Sequence, residues 1–138
     1  MKQTFRKNEK LCSPKIIGRL FQRGSSDVHT FYLFPFRVLY LYDPLKEAEP
    51  TQVLFSVSKK NFKKAVDRNL IRRRCREAYR LQKEILVSGS SAARPAYIAF
   101  LYLAKETSTF SVIEKAMGQS LARLSKLPPA SKSDTVNS

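Results

Sequence analysis

One segment narrows the choice of fold more than any other: Lys59 to Arg80, KKNFKKAVDRNLIRRRCREAYR. At about 100° per residue, Arg68, Arg72, Arg76 and Arg80 recur every fourth position, with Asn69, Arg73 and Lys83 in the same arc. Leu70, Ile71, Ala78, Leu81 and Ile85 collect on the opposite arc, Cys75 stands at its margin, and Arg74 alone intrudes. The spacing predicts an amphipathic helix lying on an apolar core with a cationic row outside. From Arg68 to Arg80 that row spans roughly 18 Å at about 1.5 Å per residue.

The charge is concentrated there. Between Lys59 and Lys83 stand eleven Lys or Arg residues against Asp67 and Glu77, so this window holds +9 of a formal +15 over 138 residues. Like charges four residues apart destabilise an isolated helix by a few tenths of a kcal/mol per pair, and only Glu77 and Glu84 are near enough to offset them. A polyanionic partner accounts for such a face. Guanidinium groups fork onto phosphate oxygens in a way an ammonium cannot.

The remaining chain supplies the apolar layer that this helix needs. Leu11 to Phe21 reads as a short helix, with Ser13 as cap, Pro14 at the first helical position and Gly24 as stop. In residues 31–42, FYLFPFRVLYLY, Pro35 separates a short first piece from a main strand, Phe36 to Tyr42. Phe36, Val38, Tyr40 and Tyr42 point one way, and Arg37, Leu39 and Leu41 the other. Gln52 to Ser58 is a second strand, with Val53, Phe55 and Val57 on one face and Leu54, Ser56 and Ser58 on the other. Ala96 to Leu103 is a third, buried one. A last helix is capped in Thr107 to Thr109, with Ser111 and Glu114 as a candidate capping box. Gly118 weakens it by about 1 kcal/mol relative to Ala, and Pro128 and Pro129 end it. Asp43 to Pro50 is a turn and Ser88 to Ala93 a flexible break.

These elements predict an α/β (α+β) two-layer sandwich: an about four-stranded mixed sheet carrying three helices. Residues 1–127 form a single RNA-binding domain, and residues 128–138 a disordered tail. Cys12, Cys75 and the lone His29 have no metal-ligand spacing, and no catalytic triad or carboxylate pair stands out. The expectation is therefore no catalytic and no metal-ligating side chain. No run of 18 uncharged apolar residues occurs, and Lys2, Arg6, Lys7, Glu9 and Lys10 break any signal-peptide pattern. A cytoplasmic protein with no membrane partner is expected, and no protein partner is indicated.

Ala65 to Arg80, AVDRNLIRRRCREAYR, resembles the signature of the protein component of bacterial ribonuclease P. Ala65, Val66, Arg68, Asn69, Arg72, Arg73, Arg76, Glu77 and Arg80 match in register. Leu70 stands where the pattern has a third basic residue, and Asn61 to Lys64 replaces a Gly-containing turn. Ile16 to Gly24 and Val57 to Lys60 are similar to the family's first helix and strand end. The resemblance implies a left-handed crossover from the second strand through the basic helix to the third. It also implies a protein subunit that aids 5′ maturation of tRNA, while an RNA subunit hydrolyses the phosphodiester with bound Mg²⁺ and the protein itself binds no cofactor.

By the same resemblance, Arg68, Asn69, Arg72, Arg73, Arg76 and Arg80 would face the ribonuclease P RNA. A cleft of Ile17, Phe21, Phe36, Val38, Tyr40, Ser56, Ser58 and Lys60 would hold the 5′ leader of precursor tRNA. For Ile17, Phe21 and Phe36, ordinary core packing is the alternative. The runner-up function is a structural, ribosomal-type RNA-binding protein with no processing role. A membrane-surface helix and a zipper-type DNA reader are disfavoured, the first because apolar strands can cover the helix, the second because no heptad run follows it.

Overall fold

The computed structural model describes residues 9–22, 28–43, 51–87 and 95–126. The expected turn at 44–50, the break at 88–93, the Pro128-Pro129 stop and the tail lie outside them. In chain order the elements are α1 (Pro14–Leu20), β1 (Val28–Leu33), β2 (Phe36–Leu41), β3 (Gln52–Val57), α2 (Ala65–Val87), β4 (Tyr97–Tyr102) and α3 (Phe110–Lys126). The four strands form one mixed sheet in the order β1-β2-β4-β3. β2 pairs antiparallel with β1 and β4, whereas β3 and β4 run parallel and are joined through α2.

Pro35 separates two full strands, not a stub and a strand. β1 begins at Val28 and is as long as β2. The turn between them contains a cis Phe34–Pro35 bond, and Pro35 O accepts a 2.8 Å hydrogen bond from Leu103 N just past β4. The alternation within β2 and β3 is as expected. Phe36, Val38 and Tyr40 join Val53, Phe55, Val57, Ile98, Phe100 and Tyr102 on one face, beneath α2 and α3. Aromatic rings carry much of this core: Phe55 stacks on Phe100 at 5.5 Å, and Phe36 and Tyr79 meet that pair edge-on at 5.5 and 6.0 Å.

The other face is smaller. α1 lays Leu20, with Ile16 and Ile17 half-buried, over Leu39, Leu41, Tyr97 and Ala99. Ser13 caps α1 by accepting from Ile16 N, and Pro14 occupies the first helical turn. α3 starts one residue after Thr109, whose Oγ1 accepts from Val112 N at 3.4 Å. Ser111 is therefore inside the helix, and the Ser111–Glu114 box does not form. Gly118 lies against Gln82: a Cβ there would meet Gln82 Oε1, and Gln82 Nε2 donates to Glu114 O at 2.8 Å, tying α2 to α3.

Candidate nucleic-acid interface

The phase of α2 decides which of its basic groups can meet a ligand. Ile71, Cys75, Ala78, Tyr79 and Leu86 are buried, defining the inward arc. Leu81, expected within that arc, is 36 % exposed, whereas Tyr79 is 3 % exposed against Phe55. Positions four apart on an α-helix drift by about 40° per step, so the arginine row is a spiral and not a straight stripe. It starts at Arg68, on the inward side, and reaches the outside only further along.

Arg68 is accordingly a structural group. Its Nη1 donates to Phe62 O at 2.8 Å and to Lys63 O at 3.0 Å. Phe62 is buried against Tyr102, and Ser58 Oγ accepts from Lys60 N at 3.0 Å, so the loop into α2 is pinned at both ends. Lys59, Lys60, Lys63 and Lys64 all project from it into solvent. Arg74, the intruder, reaches across to Ser108 O at 2.6 Å and fastens the segment before α3.

Along the outer arc, Arg73 and Arg76 are exposed, and Arg72 Nη2 donates to Asn69 Oδ1 at 2.5 Å. Toward the C-terminal end the charge is countered. Arg80 forms a two-point pair with Glu77 at 2.6 and 3.1 Å, a bond that holds the Glu77 carboxyl below its usual range. Lys83 pairs with Glu9 at 2.9 and 3.0 Å. The strongest cationic surface is therefore the lysine loop with Arg72, Arg73 and Arg76. Leu70, where a basic residue was expected, is half-buried at the flank. Cys75 is buried, which pushes its thiol up to about 12, so it packs as an apolar group.

The eight expected cleft residues do not come together. Phe36, Val38 and Tyr40 belong to the α2/α3 core, with Phe36 1 % exposed, on the face of the sheet away from Ile17, Phe21 and Ser56. They point away because side chains alternate along β2 and its apolar set packs under the two long helices. On the α1 side stand Ile17, half-buried, Phe21, 43 % exposed, Ser56 and Ser58, with Lys60 exposed in the following loop. Cross-strand register adds Arg37 and Leu101 beside Ser56, and Leu103 follows on the same face. The cleft expected from the sequence did not include these three. Arg37 alternating with core residues was the available signal, but the partner of each face depends on inter-strand register.

A family model described as Ribonuclease P matches residues 5–125. A ribonuclease P protein component of Porphyromonas gingivalis is 36 % identical over 127 residues, covering 91 % of this chain and 89 % of its own length. The chain belongs to the ribonuclease P protein family. Another member, from Chlorobium phaeobacteroides, is 34 % identical over 134 residues, covering 90 % of this chain and 91 % of its own. Among solved structures, the Staphylococcus aureus RNase P protein matches with a TM-score of 0.63 at 21 % identity, over 87 % of this chain and 97 % of that one, a likeness of fold. Membership makes the chain a protein component of an RNA endonuclease holoenzyme and partners it with ribonuclease P RNA. The ribosomal-type alternative is thereby set aside. No group of three or more His, Cys, Asp or Glu that could hold a metal ion occurs among the described residues, and no described helix is long and apolar enough to cross a membrane.

Proposed function

We propose that the chain promotes 5′ maturation of tRNA through two RNA surfaces on opposite sides of its sheet. The outer face of α2, at Asn69, Arg72, Arg73 and Arg76, binds the catalytic RNA subunit, and Lys59, Lys63 and Lys64 of the preceding loop extend that surface. The α1 side, at Ile17, Phe21, Ser56, Ser58 and Lys60 together with Arg37, Leu101 and Leu103, holds the single-stranded leader of the precursor. Arg68 organises the lysine loop, and Arg80 contributes less than its place in the signature implies. The observation that carries this reading is the sheet itself. It puts the exposed arginines of α2 and the half-open row beyond α1 in different layers, so that two RNA strands can be held without competing.

The chemistry divides in the same way. Mg²⁺ bound by the RNA subunit supplies the metal-assisted hydrolysis. The protein's cations neutralise phosphates and release their counterions, which favours assembly of two polyanions. Phe21 offers an exposed ring on which an unpaired base can stack. Both thiols are free, Cys12 exposed and Cys75 buried, in keeping with action in a reducing cytoplasm.

The test is cleavage of precursor tRNA by ribonuclease P RNA at low Mg²⁺, with and without the protein. The expected result is a marked rise with the protein and no cleavage by the protein alone. Binding to the RNA subunit without any rise would remove the processing role.

A further inference from the structure

Beyond α1, the sheet carries a row of side chains that no described helix covers. Register sets Tyr32 opposite Arg37, Arg37 opposite Leu101, and Leu101 opposite Ser56. All four lie on the α1 side, while α1 itself rests on the preceding row at Leu39 and Ala99. β1 is one of the two edge strands, and Tyr32 upon it is 63 % exposed. The guanidinium carbon of Arg37 sits 5.7 Å from the centre of the Tyr32 ring, and Arg37 Nε is shielded from solvent with no hydrogen-bond acceptor.

A single exposed tyrosine is ordinary. Here, however, the ring is paired with a guanidinium, and the pair continues the row that holds Ser56. An aromatic face stacks any nucleobase, and a guanidinium beside it can take the adjoining phosphate. The row from β1 to β3 crosses three strand spacings, roughly 14 Å, a path along which an extended strand can run from Ser56 out to the sheet edge. An anionic strand also suits a chain of formal charge +15.

We propose that Tyr32 and Arg37 form a stacking subsite for one unpaired nucleotide of the precursor leader, at the outer end of the surface that starts at α1. The subsite rests on the leader-face reading above and extends it to the edge strand. Tyr32 supplies the stacking plane, and Arg37 holds both the ring and the neighbouring phosphate.

The test uses the reconstituted holoenzyme, precursor tRNAs with leaders of graded length, mature tRNA, and the variants Tyr32→Ala, Tyr32→Phe, Arg37→Gln and Phe21→Ala. Stacking at about 1 to 3 kcal/mol per base converts, at 1.4 kcal/mol per tenfold, to a loss of about 5- to 140-fold for Tyr32→Ala with the longest leader. Tyr32→Phe restores binding, Arg37→Gln gives a smaller loss, and affinity for the RNA subunit is unchanged. As the leader is shortened, the Tyr32→Ala loss disappears before the Phe21→Ala loss does. A Tyr32→Ala loss of the same size on mature tRNA would overturn the subsite. So would wild-type precursor binding by Tyr32→Ala alongside a clear loss from Phe21→Ala, which would leave the leader face standing. No loss from either variant would remove the leader face and the subsite together. If Tyr32→Ala abolished a concentration-dependent self-association seen by sedimentation and left precursor binding intact, the patch would be a protein contact and the proposal would fail.

Discussion

The two faces of this sheet are written in the same alternating code, yet they are put to different uses. On one, Phe36, Val38, Phe55 and Phe100 vanish beneath a helix of 23 residues and another of 17. On the other, a helix of seven residues covers Leu39, Leu41 and Ala99 and leaves Arg37, Leu101 and Ser56 half-open. At about 1.5 Å per residue, α1 reaches roughly 10 Å and α2 roughly 35 Å. The length of the covering helix thus decides which side chains are committed to stability and which remain for a ligand. Aromatic character does not decide it, since the most aromatic strand face is the fully buried one.

The sharpest way to break this comparison is Phe36→Ala. Removing a buried phenylalanine from the larger core should lower stability by about 3 to 5 kcal/mol, read as a shift in the urea midpoint, while the folded fraction keeps its affinity for precursor. Undiminished stability with lost precursor binding would return Phe36 to the ligand side and invert the two faces.

Arg68→Ala should come next. It removes two charge-assisted hydrogen bonds to backbone carbonyls, each of a kind worth about 1.5 to 3 kcal/mol when well buried; partial exposure puts the whole change at about 1 to 3 kcal/mol. The loss should appear in denaturation, with little change in the salt dependence of RNA binding. A full unit lost from the salt slope, with stability untouched, would show Arg68 on phosphate and not on the loop.

What the sequence made legible follows from which interactions are local. Helical period, the Ser13–Pro14 start and strand alternation are set within a few residues, so α1, α2, α3, β2, β3 and β4 were all readable, as was the family from Ala65 to Arg80. That Phe36, Val38 and Tyr40 are covered by helices while Arg37, Leu101 and Leu103 stay partly open was not. That choice depends on β4 inserting between β2 and β3 and on where α1 stops, both long-range outcomes. The inward phase of Arg68 was hidden for a subtler reason: recurrence every fourth residue looks like a straight row, and the drift around the axis carries its first member inward. The pairing of Arg80 lay within reach, since Glu77 is three residues away on the same helix, and that spacing brings side chains together.

The smallest effects are the most informative about the outer face of α2. Arg73→Ala should reduce the salt slope of RNA-subunit binding by about one and leave stability unchanged. Arg80→Ala should reduce it by less, because Glu77 already holds that guanidinium. The carboxyl of Glu77 is kept below its ordinary range by the same bond, so the pair is intact at neutral and mildly acid pH and is lost only as the pH falls through that depressed value. Mutation is therefore the practical way to release Arg80. Glu77→Gln should tighten RNA binding at low salt and steepen the slope, and Arg80→Ala in that background should then cost as much as Arg73→Ala does. Equal slopes for Arg73→Ala and Arg80→Ala in the unaltered protein would mean that the RNA pulls Arg80 from its partner on binding. The cationic surface would then run on to the end of the signature at Arg80 and not stop at Arg76.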